Sequence, residues 1–244
     1  MNFYTIRKSA RDSLKGNWGQ AVLCYFIFFL IDSLLTLPST HKYGFGGVLL
    51  NFLFFIILGP LIAGVNYFFL KLSRKEKTSL EDLFYPFKSF LRYFLCHLLT
   101  TIFSLLWSIP AIIVVVLTIT GALFHPSIAE VNYHGSKYIF TPAIFLIIIT
   151  FIIICIILGI FLNRYALAHF MLLDNPLLGS YDAIEESVNM MKGYKIKLFL
   201  LHLSFIGWWI LSIFTLGIGL LWLLPYVRTS TAIFYEDVKK NYNY

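Results

Sequence analysis

The chain has 244 residues, of which 59% are hydrophobic, 18% aromatic and 13% charged. A soluble domain carries about 25% charged residues, so a water-solvated globule is excluded and the composition calls for a lipid bilayer as solvent. The net charge of +7 does not point to nucleic acid, because the basic residues are dispersed beside apolar runs instead of forming one patch.

Residues 3–15 place Phe3, Ile6, Ala10 and Leu14 on one helical face and Arg7, Lys8, Arg11 and Lys15 elsewhere. This pattern predicts an amphipathic helix lying on the membrane surface, with its basic side chains on anionic lipid headgroups. The first apolar run, residues 20–37, comes after that basic stretch much as in a signal peptide, but it is long for an h-region and no small-x-small site succeeds it. It is read as an uncleaved transmembrane helix. A second span covers residues 45–70, where Gly59-Pro60 predicts a kink.

A second amphipathic segment, 78–91, opens on the capping box Thr78-Ser-Leu-Glu81 and turns Leu80, Leu83, Phe84, Phe87 and Leu91 to its apolar side. Pro86 predicts its break. The third span, 93–123, carries Pro110 near its middle, and the fourth, 138–162, runs on into polar Asn163 and Arg164. A third amphipathic segment, 176–192, comes after Asn175-Pro176, a cap and first-turn proline, with Leu177, Tyr181, Ile184, Val188 and Met191 in one stripe. Asp182, Glu185 and Glu186 fall on its other face, where a solvated side explains them better than a catalytic carboxylate pair.

The last apolar stretch, 196–227, fits either one overlong helix or two helices folded back at Thr215-Leu-Gly-Ile-Gly219. Charge discriminates between them. With a turn there, every Lys and Arg except Lys42 and Lys137 lies on the cytoplasmic side; without it, Arg228, Lys239 and Lys240 join those two outside. The positive-inside rule favours the turn, spans at 196–215 and 218–235, and both termini in the cytoplasm. The expectation is an all-α, polytopic transmembrane bundle of about six segments in a single membrane domain, residues 1–244.

Each amphipathic segment ends in Lys with a small residue next to it: Lys15-Gly16, Lys88-Ser89 and Lys192-Gly193. Nine or ten positions on stand Cys24, His97 and His202. Two readings fit: three pseudo-repeated units of surface helix plus helical hairpin, or a general preference for Lys and Gly where helices enter a membrane from the cytoplasm. The three cysteines, Cys24, Cys96 and Cys155, all lie in apolar runs and are read as packing residues.

The opening Ala10-Arg-Asp-Ser-Leu-Lys-Gly-Asn-Trp-Gly19, the segment Ala183 to Gly193 ending Met190-Met-Lys-Gly, and the closing Leu220-Leu-Trp-Leu-Leu-Pro-Tyr-Val-Arg-Thr-Ser-Thr-Ala-Ile-Phe-Tyr-Glu-Asp237 resemble the bacterial membrane proteins of domain-of-unknown-function family 975. The resemblance extends over nearly the whole chain, with Thr40 to Ser136 its least similar part. It implies a polytopic inner-membrane protein, mostly from Gram-positive bacteria. It carries no established activity from which catalytic residues could be transferred.

Ionisable and polar groups inside spans are the default site candidates in such a protein, because burying a charge in the bilayer costs about 2.5 kcal/mol or more. They are Asp32, His97, His202 and Arg164, with Asn51 and Asn66 as polar points on one helix. Asp32 fits a proton or cation site or exposure at the interface, and Arg164 an orientation anchor that snorkels. His97 and His202 are expected at related depths, where they could face each other as a proton-sensitive or metal-binding pair or each satisfy a local carbonyl or water. His125 and His134, with Glu130 in an outside loop, form only a weak metal pattern. GxSxG, HExxH, GxxxxGK[ST] and GxGxxG are all absent, so no enzyme activity, metal or cofactor is expected. The leading functional expectation is a non-enzymatic scaffold, an envelope-maintenance factor, or a factor for immunity to or export of a bacteriocin-type membrane peptide. Its partners would be the lipid bilayer and a membrane protein or peptide. The alternative is a transporter or channel subunit with kinked helices lining a small-solute pathway.

Overall fold

The computed structural model describes residues 2–36, 44–124, 129–133, 136–140 and 142–242. Helices α1 (Phe3–Leu14), α2 (Trp18–Thr36) and α3 (Gly44–Ser73) lead into a 3-10 segment, Leu80–Ser89, and then α4 (Phe90–Phe124). A two-stranded antiparallel ladder, β1 (Ala129–Tyr133) with β2 (Ser136–Phe140), precedes α5 (Pro142–Leu162). After a 3-10 turn at Asn163–Tyr165 come α6 (Ala168–Asp174), α7 (Ser180–Met190), α8 (Lys195–Leu203), α9 (Ile206–Phe214) and α10 (Leu220–Asn241). The chain forms two compact units: Met1–Thr100 with Asn163–Tyr244, and Thr101–Leu162.

The helical fold class is as expected, and among the described residues four helices are long and apolar enough to cross a membrane: Asn51–Ser73, Leu80–Gly121, Phe145–Asp174 and Lys195–Phe214. The bent pair Phe3–Leu14 plus Trp18–Ser33, turning through 95°, makes a fifth candidate. In the second and third of these the most apolar stretch has no residue buried inside the protein, as expected of helices solvated by lipid. The larger unit holds the core, around Phe68, Phe69, Phe205, Phe234 and Tyr235.

Several sequence-based boundaries are corrected. The fourth span does not begin at 138: Tyr138 to Phe140 pair with Val131 to Ala129 in the ladder, and Pro142 starts the helix. The cap expected at Thr78-Glu81 sits one residue later, where the Asp82 carboxylate accepts the Ser79 amide at 2.8 Å. The segment beyond this cap is 3-10, with Leu83 and Pro86 buried against α3, and Pro86 does not break it. Of the residues expected on its apolar side, Leu83 is buried in the protein while Phe84 and Leu91 are exposed. Pro60 and Pro110 lie inside continuous helices.

The third amphipathic helix starts at Ser180 instead of 176, leaving Leu177 96% exposed. Arg92 is the physical reason. Its guanidinium donates to the carbonyls of Leu172 at 3.0 Å and Leu178 at 2.9 Å and to that of Asn175, so the backbone of 175–178 is committed to a loop. Asn175 Oδ1 accepts the Leu177 amide and Ser180 Oγ returns a bond to the Arg92 carbonyl.

The fifth span is broken. Trp208 N bonds Phe205 O at 2.9 Å instead of the Ser204 carbonyl a regular helix would offer, and Arg7 Nη1 takes Ser204 O at 3.4 Å. The turn at 215–219 is present: Leu216 and Gly217 have φ of 52° and 87°, and Gly217 N reaches back to Ser212 O. Beyond it α10 runs antiparallel to α8 and α9, pairing Phe205 with Tyr226 and His202 with Thr231. α10 does not qualify as a span by composition; it carries Arg228, Glu236 and Asp237, and Thr229, Ser230, Phe234 and Tyr235 are buried.

Helices α1 and α7 do not lay their apolar faces on a membrane surface. Ile6, Ala10, Ser13 and Leu14 of α1 are buried where it packs on α10 and α3, and Ala183, Ser187, Met190 and Met191 are buried where α7 packs on α6 and the 163–165 turn. These two sets stand at identical distances before Gly16 and Gly193, which share a left-handed backbone, φ 86° and 80°. Asn17 N to Leu14 O (2.9 Å) and Tyr194 N to Met191 O (3.1 Å) close the same elbow, and the next buried positions, Ala21 and Cys24, match Leu198 and Leu201. Ser89 forms no such elbow; the 3-10 segment passes directly into α4.

Candidate functional site at the charged end of the larger unit

Arg74, just past the end of α3, is the hub of an ionic cluster. Its Nη2 donates to both carboxylate oxygens of Asp174 (2.7 and 2.8 Å) and its Nε to Glu236 at 2.8 Å. Asp174 also accepts from Tyr235 OH at 2.7 Å and Lys239 Nζ at 2.5 Å. Asp174 is only 11% exposed in its side chain, so these donors replace the water its charge has lost. Burial works against the Arg74 charge, but the hydrogen bonds to Asp174 and Glu236 outweigh it and raise the guanidinium above its usual range. Nearby, Lys71 pairs with Asp82 at 2.9 Å. A cavity of about 500 Å³ borders the cluster, where Asp12, Glu236 and Asp237 face Arg74, Lys75 and Lys240.

Sequence reasoning missed Asp174, Glu236 and Arg74, because charges at helix ends read as orientation signals. One local signal was available: Glu236 and Lys239 are three apart on one helix and share a face.

Toward the apolar part of the same unit lie the histidines. The expected pairing of His97 with His202 is corrected. His97 on α4 meets His169 on α6, ring centroids 6.4 Å apart, and Phe55 on α3 at 5.0 Å. Gly59 makes room for it, since a Cβ there would stand 2.8 Å from His97 Cβ. His169, unremarked in the sequence, is buried, and its Nε2 has no hydrogen-bond partner among the described residues. His202 Nε2 stands 3.1 Å from Thr231 Oγ1, which also lies within hydrogen-bond distance of Val227 O. Arg228 interacts electrostatically with both His169 and His202 and has no acidic partner among the described residues.

The other candidates are scattered. Asp32 is half-buried on α2, and Asn51 is exposed on α3. Asn66 is buried, 4% exposed, with Oδ1 unbonded among the described residues. Arg164 stacks over Tyr165 at 5.3 Å, and its carbonyl accepts Ser187 Oγ. On α1 and at its C-terminal cap, Lys8, Arg11 and Lys15 are exposed, while Arg7 is half-buried with its guanidinium 5.0 Å above the Phe205 ring. His125 and His134 lie outside the described residues. Among the described residues no group of three His, Cys, Asp or Glu is placed to hold a metal.

No curated protein and no solved structure matches the chain. The sequence model of the family described as a protein of unknown function, DUF975, matches residues 1–242, and the chain therefore belongs to that family.

Proposed function

We propose that the chain is a multi-pass, non-enzymatic protein of a bacterial cytoplasmic membrane, with both termini cytoplasmic, that works as a scaffold in contact with anionic lipid and a membrane protein or peptide. The observation that carries this reading is the matched pair of elbows. Twice, an amphipathic helix buries its apolar face in the protein, turns at a left-handed glycine and enters an apolar helix. Such elbows leave polar faces such as Lys8, Arg11 and Lys15 turned outward, where basic side chains attract an acidic leaflet. The turn at 215–219 sends α10 back antiparallel to α9, and with both termini in the cytoplasm Lys239 and Lys240 share the side of the basic N-terminus, in keeping with the positive-inside rule. The two elbows also favour descent of the first and third units from one repeat, with the middle unit diverged at Ser89.

A transporter subunit is the second reading, favoured by the helix break at Ser204 beside polar His202 and Arg228. One experiment separates the two: complementation of a deletion strain, scored by sensitivity to membrane-active peptides, with Asp32→Asn and His97→Ala. A scaffold retains full complementation in both variants; loss in both overturns the scaffold reading in favour of transport.

A further inference from the structure

On the face of α1 opposite the ionic cluster lies a cavity of about 320 Å³, in the range of sites that hold a small molecule. Arg7 and Arg11 stand at one end, and Trp208, Leu211 and Trp222 form its wall. Trp18 and Trp222 are shared with a second cavity of about 400 Å³ that continues past Val22, Leu23 and Phe26 along α2. Together they form a groove, basic at one end and apolar along its length. From Tyr226 to Gly219 the α10 wall alone is about 10 Å long at helical rise.

The charge in this groove is uncompensated. No acidic side chain lines either cavity among the described residues, unlike the cleft on the other side of α1, where acids and bases alternate. Arg7 is held in place by Phe205 beneath it and by the Ser204 carbonyl, while its own carbonyl accepts Tyr226 OH at 3.1 Å. Its Nε is buried and bonded to nothing among the described residues. Two guanidinium groups lining one cavity with no acid beside them favour an anion, and phosphate matches the guanidinium fork.

The apolar floor selects among anions. Ser212, Thr215 and Tyr226 supply its hydroxyls, and all three are already committed: Ser212 Oγ donates to Trp208 O, Thr215 Oγ1 donates to Ser212 O and accepts Gly219 N, and Tyr226 OH donates to Arg7 O. A peptide backbone laid here would leave most of its N–H groups without an acceptor. A hydrocarbon chain would not. Trp208, Trp222 and Leu211 are about half exposed, at 49%, 50% and 53%, a surface that hydrocarbon covers without a polar cost.

We propose that this groove holds one acidic phospholipid, its phosphate between Arg7 and Arg11 and one acyl chain along Trp208, Leu211 and Trp222. The proposal rests on the membrane reading of the chain and names the lipid contact of that surface.

The test is native mass spectrometry of the full chain in detergent, titrated with phosphatidylglycerol and, separately, phosphatidylcholine. One phosphatidylglycerol is retained per chain and phosphatidylcholine is not. Arg11→Gln, at an exposed residue whose loss leaves the fold intact, weakens retention about fivefold, which is ~1 kcal/mol at 1.4 kcal/mol per tenfold. Leu211→Trp fills the wall and abolishes retention with both arginines present. Retention that ignores headgroup charge, that is unchanged in both variants, or that millimolar inorganic phosphate displaces overturns the proposal. None of these outcomes touches topology or complementation, so the groove can fail while the scaffold reading stands.

Discussion

Gly64 and Leu83 are in backbone contact: a Cβ built on Gly64 would lie 1.8 Å from the Leu83 carbonyl oxygen. This contact seats the 3-10 segment against α3 and sets the position from which α4 departs. Gly64→Ala must push the two elements apart. Overpacking of this kind costs about 1–3 kcal/mol, so a lowered thermal midpoint in detergent is the expected result. An unchanged midpoint would show that the segment is not seated there.

The two elbows predict a different signature. Gly16 and Gly193 have open space where a Cβ would go, so only backbone strain opposes a side chain. Alanine at either position is expected to cost about 1 kcal/mol, with asparagine milder because it tolerates the left-handed region. Equal losses for the two alanine variants, measured by denaturant unfolding, are the expected outcome; a loss at one site alone would break the equivalence.

Arg92 tests the loop it pins. Lysine keeps the charge but cannot bond three divergent carbonyls with one ammonium group. Arg92→Lys should speed hydrogen exchange and proteolysis at Leu177 to Gly179 while α7 stays protected. Unaltered exchange there would mean that the loop is held by something else.

In the ionic cluster, removing one partner strands the others. Asp174→Ala leaves Arg74 with Glu236 alone and deprives Lys239 and Tyr235 of this acceptor. A charged hydrogen-bond partner is worth about 1.5–3 kcal/mol, discounted here because Arg74 and Lys239 are 30% and 35% exposed. A double-mutant cycle with Arg74→Gln measures the coupling, and strict additivity would count against a cooperative cluster.

The elements were legible because their signals are local. Apolar runs of sufficient length, Gly-Ile-Gly at the last turn and the hydrophobic spacing of residues 3–15 each lie within one segment. The same local view assigned the apolar faces of α1 and α7 to lipid. It could not tell lipid from protein as the covering surface, since both are apolar.

Helix lengths and helix order were thus set by the sequence itself, since a shortage of charge leaves few segments able to meet water. Partnership was decided only in three dimensions. His97 met His169 instead of His202, and Asp174 gathered Arg74, Lys239 and Tyr235 from distant segments. Such contacts depend on how helices cross, and crossing depends on close approaches like those at Gly59 and Gly64, which no periodicity along the chain records.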